Sequence, residues 1–137
     1  MAHINQFEKK EIAATVAPIL KKYGVKGTLS IDNHSTLVLT ISKGSIDFIK
    51  NYNDTVSERA AYRNQQFHPA ENYIDVNVYW FDELFTGVAH EFLAEVIPAL
   101  KGKNWFNNSD IQTDYFHVKH YFDVRIGRWN KPYQLSK

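Results

Sequence analysis

Apolar residues recur at three- and four-residue steps in two long segments of the chain, residues 6–23 and residues 84–100. This spacing places them on one stripe of a helix, so both segments are predicted to be amphipathic helices. Asn5 is suited to cap the first helix, and Gly24 is suited to end it in a left-handed turn. Pro18 lies inside this helix and removes one backbone donor, so we expect a bend in its second half.

Strict alternation of apolar and polar residues predicts strands elsewhere. Residues 27–31 and 37–41 alternate on either side of an Asn-His-Ser turn at residues 33–35, which is a hairpin signal. Residues 73–81 alternate most regularly, and they are predicted to form the clearest strand. Residues 115–126 are predicted to form the last strand, with one apolar face and one polar face that is rich in rings.

The segment between the hairpin and the strand at residues 73–81 is less regular. Residues 45–52 fit either a helical turn or a continued strand. Thr55 and Glu58 form a capping-box pattern, so a short helix is predicted over residues 56–65. Together these elements predict one α+β domain covering residues 1–137, in which a four-stranded, mainly antiparallel sheet carries two main helices on one face and a short extra helix.

Composition narrows the class of protein. At 137 residues, the chain is long enough to bury a core without disulfides, and it contains no cysteine, which fits a reducing compartment. The N-terminal residues contain no apolar run that could act as a signal peptide, and no later stretch approaches the length of a membrane span. We therefore expect a cytoplasmic protein. The net charge of +1 argues against a simple nucleic-acid coat, whose affinity rests on surplus Lys and Arg.

The charges are unevenly distributed along the chain. Six acidic residues follow one another without an intervening Lys or Arg: Glu71, Asp75, Asp82, Glu83, Glu91 and Glu95. The end of the chain is basic, with Asp123 opposing Lys119, Arg125, Arg128, Lys131 and Lys137. The folded surface is therefore expected to carry one negative and one positive patch, although ordinary surface charge also explains runs of this size.

No residue pattern requires a particular chemistry. His117 and His120 are three apart on the predicted last strand and point to opposite faces, so they do not jointly bind one metal ion. Asp110 and Asp114 are four apart, a spacing that suits either a divalent ion or helix capping. The chain contains no nucleophile elbow, phosphate-binding loop, dinucleotide fingerprint or zinc-helix pattern. We therefore assign no catalytic residue, no metal ligand and no cofactor.

The aromatic and charged residues of the last third favour a recognition surface, because protein interfaces are enriched in Tyr, Trp and Arg. The candidate partner-binding residues are Trp105, Asp110, Asp114, Tyr115, Tyr121, Arg125, Arg128, Trp129 and Tyr133. A core role is the alternative for each ring. Exposed rings near Lys119 and Arg125 would also suit single-stranded nucleic acid, although Asp75 and Asp123 on the same predicted face would repel phosphate.

The segment from Asn104 to Tyr133, NWFNNSDIQTDYFHVKHYFDVRIGRWNKPY, resembles small proteins of phages and plasmids that are similar to the large polyvalent protein-associated domains of mobile elements. The resemblance is centred on Ser109, Asp110, Asp114, Tyr115, Phe116, Gly127, Trp129, Lys131 and Pro132. It implies a mobile-element origin and a role against host defence.

The leading hypothesis is a non-enzymatic phage or plasmid accessory protein in the bacterial cytoplasm. It would bind a host protein and inhibit a defence system, in an anti-CRISPR-like or other counter-defence role. A nucleic-acid-associated module using the basic C-terminal region is the first alternative. The second is a small-ligand binder or enzyme with a pocket near Asp110, Asp114 and His117. An exposed strand edge also leaves a homodimer open.

Overall fold

The computed structural model describes residues 3–64, 66, 69–102, 120–128 and 130–135. In chain order its elements are α1 (Gln6–Tyr23), β1 (Val25–Asp32), β2 (Thr36–Gly44), α2 (Phe48–Tyr62), β3 (Ile74–Val76), α3 (Phe81–Leu84), α4 (Gly87–Ala99), β4 (Tyr121–Ile126) and β5 (Gln134–Leu135). Helices pack against one mixed sheet, which confirms the α+β class.

Helix α1 has the ends that its sequence predicts. The Asn5 side chain accepts a hydrogen bond from the Glu8 backbone N–H at 2.8 Å, and the Glu8 carboxylate accepts from the Asn5 N–H at 3.3 Å. Together these two bonds satisfy two of the backbone donors that every helix leaves open at its start. Gly24 ends the helix at φ +67°, a left-handed conformation that glycine adopts without a Cβ penalty. Pro18 lies inside the helix without ending it.

The sheet has the strand order β1-β2-β4-β3, and β5 lies beside the end of β2. The predicted hairpin is confirmed as the antiparallel pair β1–β2, and β3 pairs with β4 in the same antiparallel manner. The central pair β2–β4 is parallel, because the chain leaves β2 through α2, β3, α3 and α4 before it returns to the sheet. Such a long crossover is what a parallel pair requires.

One face of the sheet carries the core. Leu37, Leu39 and Ile41 of β2 lie directly beside Phe122, Val124 and Ile126 of β4, and all six are buried. The helices contribute these buried apolar residues to the same cluster: Ile12, Val16, Phe48, Phe92, Leu93, Val96 and Ile97. Each fully buried side chain of this size contributes about 1.5–3 kcal/mol relative to an exposed one. The opposite face of the sheet, here called the outer face, carries Thr36, Val38 and Thr40 of β2, and of these Val38 and Thr40 are also buried.

The long strand predicted over residues 73–81 is wrong beyond its first half. Strand β3 ends at Val76, because the Asn77 side chain accepts hydrogen bonds from the N–H groups of Tyr79 at 2.9 Å and Trp80 at 3.1 Å. This Asx turn competes with the strand ladder and redirects the chain into α3. The alternating pattern of residues 77–81 therefore does not reflect a strand, because Tyr79 and Trp80 are exposed on a turn.

The middle helix begins at Phe48 instead of residue 56, and of the two alternatives left open for residues 45–52 the helical one applies from Phe48 onward. Asp47 caps α2 by accepting a hydrogen bond from the Lys50 N–H at 3.0 Å, so residues 48–52 are helical rather than extended. Thr55 lies inside this helix and is buried, and its hydroxyl is 3.4 Å from that of Thr86. A carboxylate cap also interacts favourably with the helix dipole, which accounts for the earlier start.

The later elements differ from their predicted bounds. Helix α4 begins at Gly87 rather than at residue 84, because Leu84 ends α3 and Phe85 lies between the two helices. Strand β4 is described from Tyr121 onward, and the predicted strand residues 115–119 lie outside the described residues. His120 is buried, and its Nε2 lies 2.9 Å from the Leu100 carbonyl oxygen, so it is a core histidine with a hydrogen-bond partner.

Candidate functional site

The strand register places the polar residues of four strands on the outer face. Asp32 of β1 lies opposite Thr36, which in turn lies beside Tyr121 of β4. Two residues further along β4, on the same face, is Asp123, and two beyond it is Arg125, which lies opposite Asp75 of β3. Alternation along each strand therefore gathers charged and aromatic side chains on one surface.

Arg125 lies between the two sheet edges. One guanidinium nitrogen, Nη2, is 3.8 Å from an Asp32 carboxylate oxygen, and Nε is 3.9 Å from an Asp75 carboxylate oxygen. To reach Asp32 from its position opposite Thr40, the side chain has to cross the part of β2 that holds Val38, which is buried. The two aspartates thus orient the Arg125 side chain along the outer face, and 37% of it is exposed.

These two ion pairs are weak, and they leave the guanidinium able to bind another group. Both distances exceed the range of a good N–H to O hydrogen bond, and exposed ion pairs typically stabilise a protein by about 0–1 kcal/mol. Within the described part of the chain, no hydrogen bond joins the Arg125 guanidinium to another residue. Since arginine carries five N–H donors in a planar fork, Arg125 can still bind a carboxylate or carbonyl of another molecule.

A cavity of about 490 Å³ opens beside Arg125. It is lined by Ser30, Asp32, Tyr73, Asp75, Arg125, Gly127, Arg128 and Asn130. The structure therefore brings together two of the predicted partner-binding residues, Arg125 and Arg128. Two carboxylates in the same lining balance their charge, so the cavity is polar and of mixed sign.

The turn after β4 sets the position of Arg128. The Arg128 N–H donates to the Lys131 carbonyl at 2.8 Å, and the Lys131 N–H donates back at 3.1 Å. Gly127 precedes this turn at φ +71°, and a Cβ there would lie 2.6 Å from the Tyr133 nitrogen and 2.8 Å from the Asn72 carbonyl oxygen. Only glycine fits such a close approach in this conformation, which lets the tail fold back on the sheet.

Tyr133 holds the tail to the core. Its hydroxyl donates to the Ile46 carbonyl at 2.6 Å, and its ring packs edge-on against Phe48 with a centroid distance of 5.5 Å. Burial raises the pKa of the Tyr133 hydroxyl well above its ordinary value. The packing role that the sequence left open for this ring is therefore observed, and its partner-binding role stays a prediction.

The remaining predicted anchors are only partly described. Tyr121 lies at the start of β4 on the outer face with 46% of its surface exposed. Five candidates lie outside the described residues: Trp105, Asp110, Asp114, Tyr115 and Trp129. The alternative ligand pocket near Asp110, Asp114 and His117 falls in the same undescribed segment.

The sequence placed Asp75 on the same predicted face as Arg125, but it indicated neither Asp32 nor Tyr73 as part of this surface. Asp32, Asp75 and Tyr73 border Arg125, and Tyr73 is 43% exposed. These residues are far from Arg125 in sequence, so the sequence does not show that they lie beside it. Knowledge that β3 pairs with β4 would have indicated it, because this pairing places Asp75 directly opposite Arg125.

A second exposed aromatic group lies on the turn between β3 and α3. Tyr79 and Trp80 are both largely exposed, and Asn77 fixes their backbone. On the following helix, Phe81 stacks on His90 with ring centroids 5.4 Å apart, and His90 Nε2 is 2.5 Å from Asp82 Oδ1.

Within the described ranges, no group of three or more His, Asp or Glu residues is placed to hold a metal ion. None of the helices in the described part of the chain is long and apolar enough to cross a membrane.

Comparison with known proteins gives no relative. A scan against protein-family models finds no match, and searches of curated proteins and of solved structures find no significant similarity.

Proposed function

We propose that this chain is a non-enzymatic binding module that uses the outer face of its sheet to contact another protein. The observation that carries the proposal is the partly exposed Arg125, which is directed by Asp32 and Asp75 and shares a cavity lining with the half-exposed ring of Tyr73, while the half-exposed Tyr121 lies on the same face. Arg and Tyr are the residue types that most often dominate binding energy at protein interfaces.

The arrangement of Arg125 favours binding because part of its ordering cost is met before the partner arrives. Immobilising a flexible side chain at an interface costs about 0.5–1.5 kcal/mol, and this cost falls when the free protein already directs the side chain. The two aspartates supply that direction through ion pairs too weak to compete strongly with a partner. A partner carboxylate or carbonyl could therefore form hydrogen bonds with the guanidinium.

The charge of the face favours a protein over a nucleic acid. Asp32, Asp75 and Asp123 lie on the same face as Arg125, and Arg128 borders the same cavity. Nucleic-acid affinity rests on neutralising phosphates with surplus positive charge, which the described residues of this surface do not carry. A polar surface of mixed charge with exposed rings is instead typical of non-obligate protein interfaces.

The resemblance of the C-terminal segment to phage and plasmid proteins extends the proposal. On that basis the partner is a bacterial host protein, and the chain acts in the host cytoplasm as an inhibitor of a defence system. Such an inhibitor would work by occupying a surface of its target or by holding the target in an inactive state. Its binding energy would then reside in a few residues such as Arg125 and Tyr121.

The test is affinity capture of the tagged chain from nuclease-treated bacterial lysate, with mass spectrometry of the retained proteins. Arg125→Ala and Tyr121→Ala are the test variants, and Tyr62→Ala is the matched control because Tyr62 is 93% exposed on α2. Truncating a dominant interface residue costs at least about 2 kcal/mol, which is roughly a 30-fold loss of affinity.

The proposal predicts one stoichiometric protein that the wild type and Tyr62→Ala retain and that the two test variants lose while keeping wild-type circular dichroism. Equal retention by all variants would show that the outer face is not the binding surface. Capture that appears only when nuclease is omitted would replace the proposal with the nucleic-acid alternative.

A further inference from the structure

A groove runs between α1 and the edge strand β1, on the side of the sheet that the helices cover. Its volume is about 730 Å³, and it is lined by Ala17, Leu20 and Lys21 of α1, by residues 24–28, and by Ser42. The side chain of Ala17 is short and exposed, which leaves this space open. The groove is separate from the Arg125 cavity, with which it shares no lining residue.

Strand β1 is an edge of the sheet among the strands that the structure describes. The Ile41 carbonyl of β2 accepts a hydrogen bond from the Gly127 N–H at 2.8 Å, so the polar backbone groups of Ile41 face away from β1. In an antiparallel ladder, the residue opposite such a position also directs its N–H and C=O away from the pair. Gly27 is opposite Ile41, and Leu29 follows in the same phase, so their backbone groups point out of the sheet edge.

The backbone of β1 therefore offers donors and acceptors beside an apolar groove. An extended peptide can add to such an edge as a further strand, with main-chain hydrogen bonds supplying affinity and the neighbouring groove receiving alternate side chains. Val25 and Leu20 supply the apolar wall of the groove.

The charges around the groove indicate which peptide fits. Lys21 and Lys26 line it, and Lys26 lies opposite Lys43 of β2. None of the lining residues is acidic. A second copy of the chain pairing through β1 would bring two such lysine groups together, which is unfavourable. An acidic peptide gains from the same charges.

We infer that the groove between α1 and β1 is a second binding site, which takes an extended, partly apolar peptide segment carrying acidic side chains. The segment adds as a strand along Gly27 and Leu29 and directs its carboxylates toward Lys21 and Lys26. This site is independent of the surface around Arg125.

The test selects peptides from a random decapeptide library displayed on phage, using the full chain as bait. The most enriched peptide is then synthesised with a fluorescent label, and its affinity is measured by fluorescence anisotropy. A second version of the peptide carries N-methyl groups at alternate residues, which removes its strand-forming donors. Backbone hydrogen exchange of Gly27 and Leu29 is measured by NMR with and without the peptide.

The variant Ala17→Trp fills the groove from an exposed position, and Thr15→Trp adds the same ring on the opposite side of α1. The inference predicts enriched peptides with alternating apolar residues and at least one acid, and slower exchange at Gly27 and Leu29 on binding. It also predicts at least a tenfold loss of affinity for Ala17→Trp and for the N-methylated peptide. Thr15→Trp and Arg125→Ala should bind as the wild type does.

Three results would overturn the inference. Selection could enrich no peptide, or it could enrich peptides whose binding is unaffected by Ala17→Trp. Alternatively, analytical ultracentrifugation could show a dimer of the chain that Ala17→Trp dissociates, which would assign the groove to self-association. Arg125 does not line the groove, so a failure of this inference would not contradict the proposed function, which the capture experiment tests separately.

Discussion

Replacing Tyr133 with Phe removes one hydroxyl from the C-terminal tail while keeping the ring against Phe48. The lost hydrogen bond joins the hydroxyl to the Ile46 carbonyl at 2.6 Å. A typical intramolecular hydrogen bond contributes about 0.5–1.5 kcal/mol net, so we expect the free energy of unfolding to fall by about 1 kcal/mol. With an unfolding entropy of about 2.1 cal/mol/K per residue, a chain of 137 residues should then lose about 3–4 °C in Tm.

The same substitution changes the response to alkaline pH. Burial raises the pKa of Tyr133 in the folded chain, so the unfolded chain loses this proton first. The stability that depends on the neutral hydroxyl is complete below the unfolded pKa of about 10 and is lost as the pH rises above it. The slope is at most about 1.4 kcal/mol per pH unit, and it is reduced because solvent screens a half-buried group. Phe at this position has no such slope.

Urea denaturation of the wild type and Tyr133→Phe, followed by circular dichroism at pH 7 and at pH 10.5, measures both effects. The variant should be less stable at pH 7, and the difference should shrink at pH 10.5. Tyr62→Phe is the matched control, because an exposed hydroxyl should contribute at neither pH. A stability difference below about 0.3 kcal/mol at pH 7, or one that stays constant with pH, would refute a buried hydrogen bond at this position.

Three further substitutions test other parts of the fold. Hydrogen bonds from Tyr23 and Lys22 lower the pKa of Glu95, so the stability from this group is present above its ordinary pKa and lost as the pH falls through its folded value; Glu95→Gln should flatten that part of the acid dependence in urea titrations. Asn77→Ala removes the acceptor that fixes the turn after β3 and should cost about 1 kcal/mol in urea denaturation, and an unchanged midpoint would contradict this role. Gly127→Ala should cost at least about 1–2 kcal/mol because of its positive φ, and a wild-type Tm would show that the tail does not pack as described.

The sequence predicted the elements whose signals are local. Helix α1 has a capping residue at each end, Asn5 and Gly24. The hairpin has a turn between two segments in which apolar and polar residues alternate. The middle of the chain was harder, because competing side-chain hydrogen bonds decided the outcome. Asp47 caps α2, so the helix begins before Thr55. Asn77 ends β3 although apolar and polar residues continue to alternate after it.

The candidate site was less predictable, because it depends on which strands are neighbours. Arg125 was identified from its place on a ring-rich strand, but its relation to Asp32 and Asp75 required the order β1-β2-β4-β3. A parallel central pair formed through a long crossover leaves no short-range sequence signal. Tyr133 shows a second reason. The residue type alone does not distinguish a tyrosine that binds a partner from one that packs the C-terminal tail against the core.

Hydroxyl-radical footprinting of the chain alone and in complex with its captured partner tests most directly whether the outer face is the binding surface. The account predicts that oxidation of Tyr73 and Tyr121 falls several-fold in the complex, while oxidation of the exposed rings Tyr62 and Phe7 is unchanged. Unchanged oxidation of Tyr73 and Tyr121 in a stable complex would contradict the account and place the partner on another surface.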